Sequence, residues 1–316
     1  MDTPQVQELE TTQPQAKVRK RSRQSENTWS GYLFILPMLV IFSVFTVFPV
    51  LYSLYISFHD WPLMTSAADP HTFVGIDNYR RILVDPDFHK SFFNTIYYVL
   101  GSVPTGLAIS LGLAMLLNCG LKGVSWYRTS FFTPVVTAGV AVGLLWRWVF
   151  NGEYGLLNYG LEMIHLPTQD WLNEPNHAML TIIIASIWKG VGFSMVIFLA
   201  GLQGIPEHLY EAARLDGASA WRQFRHITLP LLSPTIFFVT VMSIIGSFQV
   251  FDMVYVMTGG GPLHATDVVI FYLFQYAFQR FQLGYAAAIS YILFAVIFVL
   301  TLAQLRIFGR RVQYEM

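Results

Sequence analysis

Apolar residues along this chain fall into long uncharged runs, separated by shorter stretches that hold nearly all of the charge. A bilayer core needs about 20 predominantly apolar residues per crossing helix, and six runs meet that length. They cover 31–58, 92–117, 129–150, 177–201, 233–257 and 283–307. The pattern predicts an all-α integral membrane protein of six transmembrane helices spanning 31–308. Ahead of it lies a basic tail, 1–30, too polar to bury a core and so expected to be disordered; a short tail, 309–316, follows.

One stretch breaks the apolar rhythm. Residues 202–232 are amphipathic and lie between the fourth and fifth runs. Gly204-Ile205-Pro206 is expected to end the fourth helix, with Pro206 at the first position of a new one and Glu207 in its favourable first turn. Leu209, Tyr210, Ala213 and Leu215 supply an apolar face, and Ala212 and Ala213 keep the surface low enough for close approach by another protein. Gly217 suits the left-handed position just past a helix end, and Ser219 can cap the next helix. Trp221, Phe224 and Ile227 recur at helical spacing, then Pro230 and Pro234 mark the return to the membrane. The residues alone allow two readings: a short transverse helix offered to a partner, or an interfacial loop that joins two helix ends.

Charge sets the orientation. Lys17, Arg19, Lys20, Arg21 and Arg23 precede the first run, and Lys122 and Arg128 lie between the second and third. Arg214, Arg222 and Arg225 sit in the amphipathic loop, and Arg306, Arg310 and Arg311 end the sixth. The positive-inside rule places both termini and the 202–232 loop in the cytoplasm. The opposite side holds loop 59–90, with HDWPL, a turn at Pro86 and room for short helices on the membrane surface. The composition agrees: 54% hydrophobic, 12% charged, one cysteine. Soluble domains carry about 25% charged residues, and Cys119 alone makes neither a disulfide nor a Cys-based zinc site.

Polar groups inside the runs mark a candidate pathway, because such groups are costly in hydrocarbon. Lys189 is the costliest, and it either faces a cavity, where Asp252 can pair with it, or snorkels outward. Ser243, Ser247 and Gln249 share the fifth run. Small residues (Gly101, Gly106, Ser110 and Gly112; the Gly139/Gly143 GxxxG) suit helix contacts. Pro37, Pro49, Pro104 and Pro134 suit kinks. No convergent His, Glu, Asp or Cys set lies within the runs, so no catalytic or metal site is expected. No Gly-Lys dipeptide occurs, which excludes a phosphate-binding loop in this chain.

The string E-A-A-x-x-D-G-A at Glu211, Ala212, Ala213, Asp216, Gly217 and Ala218 precedes Phe224, Ile227 and Leu229-Pro230. It resembles the EAA loop of binding-protein-dependent ABC importer permeases. Thr258-Gly259-Gly260-Gly261-Pro262 with Thr266, Tyr276-Ala277-Phe278 and Gly284-Tyr285-Ala286-Ala287-Ala288 resemble the carbohydrate-uptake (MalF/UgpA-like) branch, as do the opening GYLFILPMLVIF and FPVLYSLYISF.

The resemblance implies a type I importer fold in the cytoplasmic membrane and a sugar as the solute. Glu207, Tyr210 and the EAA residues would dock on an ATPase dimer. A second, homologous permease and an extracytoplasmic solute-binding protein would complete the assembly, in contact with membrane lipid and without nucleic acid. ATP and magnesium would be bound by the ATPase alone. By the same resemblance Gly190, Phe193, Ser243 and Ser247 line the cavity, beside Lys189, Gln249 and Asp252. Glycerol phosphate or a polyol is the alternative solute, and a membrane enzyme or channel the alternative class.

Overall fold

The computed structural model describes residues 26–63, 71–120 and 123–308. It divides into two compact units at the Tyr52/Ser53 boundary. In the first unit α1 (Glu26–Phe42) runs through a π-helical turn (Ser43–Val47) into α2 (Phe48–Ser57), a helix that crosses the boundary. The helix starts five residues inside the segment expected as a tail. Hydropathy marks where apolar surface begins, whereas helical hydrogen bonding runs on into the polar Glu26–Ser30. The remainder of that tail and its basic cluster, Lys122, and tail 309–316 lie outside the described residues. Pro49 explains the π turn: its ring strikes the carbonyl four residues back, at Phe45, and the widened turn makes room there. The same arrangement recurs at Pro230, whose fourth preceding residue, His226, lies in a second π turn (Phe224–Thr228).

Among the described residues, four helices are long and apolar enough to cross a membrane: Gly31–Ser57, Pro86–Leu117, Pro175–Gln203 and Leu283–Ile307. Two bent pairs raise the number to six. The third expected span is not one helix: α5 (Val124–Val136) and α6 (Gly139–Val149) meet at 101°. Thr137 is extended at the joint, and its hydroxyl donates to the Thr133 carbonyl at 2.9 Å, occupying an acceptor near the broken end. The fifth is likewise interrupted, with α12 (Ser233–Phe248) ending at Gln249 and α13 (Asp252–Met257) starting afresh. Tight bonds from the Gln249 and Val250 N–H groups to the Gly246 and Ser247 carbonyls close α12.

The second unit is organised around α4 (Pro86–Leu117) and α8 (Pro175–Gln203). Small residues bring them together. A Cβ on Gly101 would lie 2.8 Å from Ile183, and Ser110 donates across to the Val191 carbonyl at 3.0 Å. At Gly192 the approach is closer still, since an added Cβ would stand 2.0 Å from the Phe131 carbonyl oxygen of α5. Overpacking a tight contact costs about 1–3 kcal/mol, so no larger residue is tolerated there without a shift of backbone.

Beyond the helix ends the chain builds a polar ledge. Instead of the expected turn, Pro86 occupies the first position of α4 with Asp85 as its cap. A two-residue antiparallel ladder, His59–Asp60 with Thr72–Phe73, and α3 (Asp77–Val84) fill part of loop 59–90. Gly284, at the start of α15 (Leu283–Phe308), has no room for a Cβ because the His59 carbonyl lies 2.0 Å from where it would be. Asp85 ties these pieces together. Its carboxylate accepts from the Tyr272 hydroxyl on α14 (Val269–Phe274) at 2.6 Å, from the Tyr285 hydroxyl, and from the Asp87 N–H at 3.0 Å. The Arg81 guanidinium lies 4.3 Å from the Tyr285 ring centre, and Arg280 the same distance from Tyr276.

Burial pushes the Asp85 carboxyl up, but the two tyrosine hydroxyls and two backbone N–H groups outweigh it and hold the group below the usual carboxylate range. A depressed folded value means that the stabilisation is present above the unfolded value, near 3.9, and is lost as pH falls through the folded value. Asp85→Asn should therefore cost about 1 kcal/mol or more at neutral pH, the scale of a lost cap. Thermal unfolding in detergent, measured from pH 7 down to 3, should show wild type and variant converging at the acid end.

Candidate functional site

Two places carry the chemistry that the sequence singles out. The first is a cavity of about 470 Å³ between α4, α8, α12 and the start of α13. Lys189, Gly190 and Phe193 reach it from α8, Ser243 and Ser247 from α12, and Gln249 and Asp252 from the break between α12 and α13. All seven candidate pathway residues thus line one space. Tyr98, Ser102, Gly106 and Ser110 of α4 and Ser186 and Ser194 of α8 also line it, and of these only Gly106 and Ser110 stand out in the sequence, as packing residues. Ser102, Gly106 and Ser110 recur every fourth position, a spacing that puts them on one helix face and that could have marked the wall. Hydroxyls, an amide, one cation and one carboxylate against aromatic and small apolar surface form a wall that can exchange hydrogen bonds with a polyhydroxylated solute.

Lys189 and Asp252 do not pair. No ion pair within 4.0 Å joins them, and Asp252 is committed elsewhere in space. Its carboxylate sits over Gly139, where an added Cβ would meet Oδ2 at 2.2 Å; one turn on, Gly143 faces Val256 at 3.0 Å. The GxxxG pair is therefore the seat for α13, and it holds the broken fifth span against the broken third. The two interruptions meet across Gly139 and Asp252.

The second place is α9 (Glu207–Leu215) and the turn behind it. Pro206 is the cap and not the first helical residue, and the helix begins at Glu207. Gly217 has φ +75°; its N–H bonds the Arg214 carbonyl at 3.1 Å while the Ala218 N–H reaches the Ala213 carbonyl at 2.9 Å. This double bond pattern is a Schellman ending, for which glycine is the natural residue. Ser219 then caps α10 (Ala220–Gln223) by accepting from the Arg222 N–H at 3.5 Å. Tyr210 anchors the element, its hydroxyl 3.0 Å from that of Thr228. Leu209 and Ala213 share its half-buried side, but Leu215 does not: it is 89% exposed. Glu207, Glu211, Ala212, Asp216 and Gly217 are exposed as well, and no residue of α9 is buried.

The TGGGP run forms a knotted turn. Gly259 and Gly260 have positive φ, Gly261–Pro262 is cis, and the Thr266 hydroxyl donates to the Gly261 carbonyl at 2.6 Å. The Asn94 amide of α4 donates to the His264 and Asp267 carbonyls, both at 2.9 Å, fixing the turn to the bundle.

The Gly139 contact yields a paired test. Gly139→Ala should displace the Asp252 carboxylate and lower the unfolding temperature, at a cost of about 1–3 kcal/mol. Shortening the opposing side chain with Asp252→Ser should recover most of that loss in the double variant, a coupling that distant sites would not show. Melting curves of the four proteins measure it.

Residues 86–314 match the family model described as binding-protein-dependent transport system inner membrane component. The probable ABC transporter permease protein YesP of Bacillus subtilis is 38% identical over 305 residues, covering 95% of this chain and 96% of its own. The trehalose/maltose transport system permease protein MalF of Thermococcus litoralis is 36% identical over 277 residues, covering 88% and 92%. In fold, the chain superposes with a TM-score of 0.80 on a subunit of a bacterial alginate ABC transporter crystallised with its periplasmic protein, at 23% identity, covering 92% of this chain and 98% of that one. The chain belongs to the inner membrane components of binding-protein-dependent transport systems.

Proposed function

We propose that this chain is the permease subunit of an ABC importer that carries a mono- or oligosaccharide across the cytoplasmic membrane. The observation that carries the reading is α9: a helix with no buried residue, closed by a Schellman turn, with Glu211, Ala212, Asp216 and Gly217 of the E-A-A-x-x-D-G-A string exposed. A helix so built leaves its polar face for another protein, here an ATPase subunit on the cytoplasmic side. Glu207, Glu211, Ala212, Asp216 and Gly217 would form that contact, with Tyr210, Ala213 and Ala218 holding its shape.

Closure of the ATPase pair would then tilt α9, and the rigid Thr228–Tyr210 link would pass the motion to α12. A second permease of the same family would complete the pathway, and a binding protein would deliver the sugar to the opposite face. The pathway would run through the cavity at Lys189, Gly190, Phe193, Ser243, Ser247, Gln249 and Asp252. Support for a sugar comes from the hydroxyl-rich wall and from the trehalose/maltose permease of Thermococcus litoralis, similar over most of this chain.

Affinity purification from detergent-solubilised native membranes tests the assembly. A second EAA-bearing permease and an ATPase should remain bound; the chain recovered alone would overturn the reading. In cells, Glu211→Lys should lower uptake of the transported sugar by about tenfold or more while the protein still reaches the membrane. Normal uptake by that variant would remove α9 from the coupling route.

A further inference from the structure

A second cavity, of about 380 Å³, lies at the other end of α13. Asp252 opens α13 in the first cavity, whereas Tyr255, Val256 and Met257 line the second. Five residues at about 1.5 Å each separate the ends by about 8 Å. The two spaces sit at opposite ends of one short helix.

The wall of this second cavity has a different chemistry. The first holds a cation and a carboxylate, Lys189 and Asp252, while the second holds Arg147 and no carboxylate. Arg147 is exposed near the end of α6, makes no ion pair among the described residues, and donates one long bond, 3.4 Å, to the Val256 carbonyl. Asn151 spends its side-chain carbonyl on the Glu153 and Tyr154 N–H groups, at 2.9 and 3.1 Å, which leaves its NH2 group to donate. Asn173 is the reverse. Its NH2 group is held by the Asp170 carboxylate beside Gly152, which leaves a carbonyl oxygen to accept. Tyr255 is 49% exposed, with its ring stacked 5.3 Å from Phe251.

A ring platform, two planar amides and a guanidinium without a counterion form a donor-rich site, and a guanidinium pairs best with a carboxylate in a two-point bond. We propose that this cavity is a second saccharide subsite, in which Arg147 receives the carboxylate of an acidic sugar while Tyr255 carries the sugar ring. The inference rests on the importer reading and adds the solute class to it: a uronate or other acid-bearing sugar pauses here before passing α13.

The test uses the full chain with its co-purified partners in lipid nanodiscs, and D-glucuronate and D-glucose as probes, followed by saturation-transfer NMR titration. Glucuronate should bind more tightly than glucose, and Arg147→Gln should weaken glucuronate by about tenfold or more while Arg147→Lys stays closer to wild type. Raising the salt should weaken glucuronate in wild type and leave the Arg147→Gln value unmoved. If Arg147→Gln does not fold, Asn151→Asp keeps the carbonyl that caps Glu153 and Tyr154, places an anion in the cavity, and should give the same loss. Equal affinity for the two probes, no binding, or equal glucuronate binding by wild type and variants would overturn the subsite. Sugar uptake that persists in those cases leaves the importer reading standing, whereas absence of ATP-driven uptake of any sugar by the intact assembly would sink that reading itself.

Discussion

Within hydrocarbon there is no water to satisfy a backbone N–H or carbonyl, so a helix can stop inside a membrane only where protein or a wet cavity takes over its bonds. The fold answers to this constraint at two points. The third and fifth apolar segments both break, at Thr137–Ala138 and at Gln249–Phe251; the second break lines the cavity, and the first meets it where Asp252 sits over Gly139, with α13 lying on Gly139 and Gly143. Interrupted backbone leaves polar groups on offer, and placing the two interruptions together gathers those groups where a polar solute can use them. The cavity is thus where the lapses in regular structure are allowed to be.

The long helices α4 and α8 make that arrangement affordable. Glycine and serine at their contact let them approach closely, so that bulky side chains such as Tyr98, Ile183 and Phe198 are buried in the bundle. Ser102, Gly106 and Ser110 give α4 a narrow polar stripe toward the cavity without a charged group in the bilayer. At the far end, the turn around Thr258–Thr266 and the Asp85 ledge add hydrogen bonds to a core that includes Ile82, Phe88, Val268 and Tyr272.

Much of this was legible in the residues, and the gaps have physical causes. Apolar run length located the crossing segments because the bilayer imposes a length. Gly217 and Ser219 were readable because helix ends are governed by local bonds. The breaks in the third and fifth segments were not: hydropathy sums apolar content and is blind to chain direction, so a run that turns by 101° reads like one that goes straight. The Gly139/Gly143 pair announced a close contact but not its partner, since Asp252 and Val256 lie far off in sequence. Of the two readings of Lys189, the one that paired it with Asp252 fails because Asp252 packs over Gly139. The ladder at His59–Asp60 was invisible because two-residue strands carry no period, and Leu215 was assigned to the wrong side although about 3.6 residues per turn put it nearly opposite Leu209 and Ala213.

At Gly192 the backbone of α8 meets the Phe131 carbonyl of α5 directly. Most helix interfaces contain side chains, which change rotamer and let neighbouring helices slide by fractions of an ångström. Here main chain meets main chain, with no rotamer between them to absorb a displacement. Such a joint transmits force without slack: α5 and α8 turn together about that point or not at all. The two helix breaks, where regular helical hydrogen bonding lapses, are then the natural places for the cavity wall to bend.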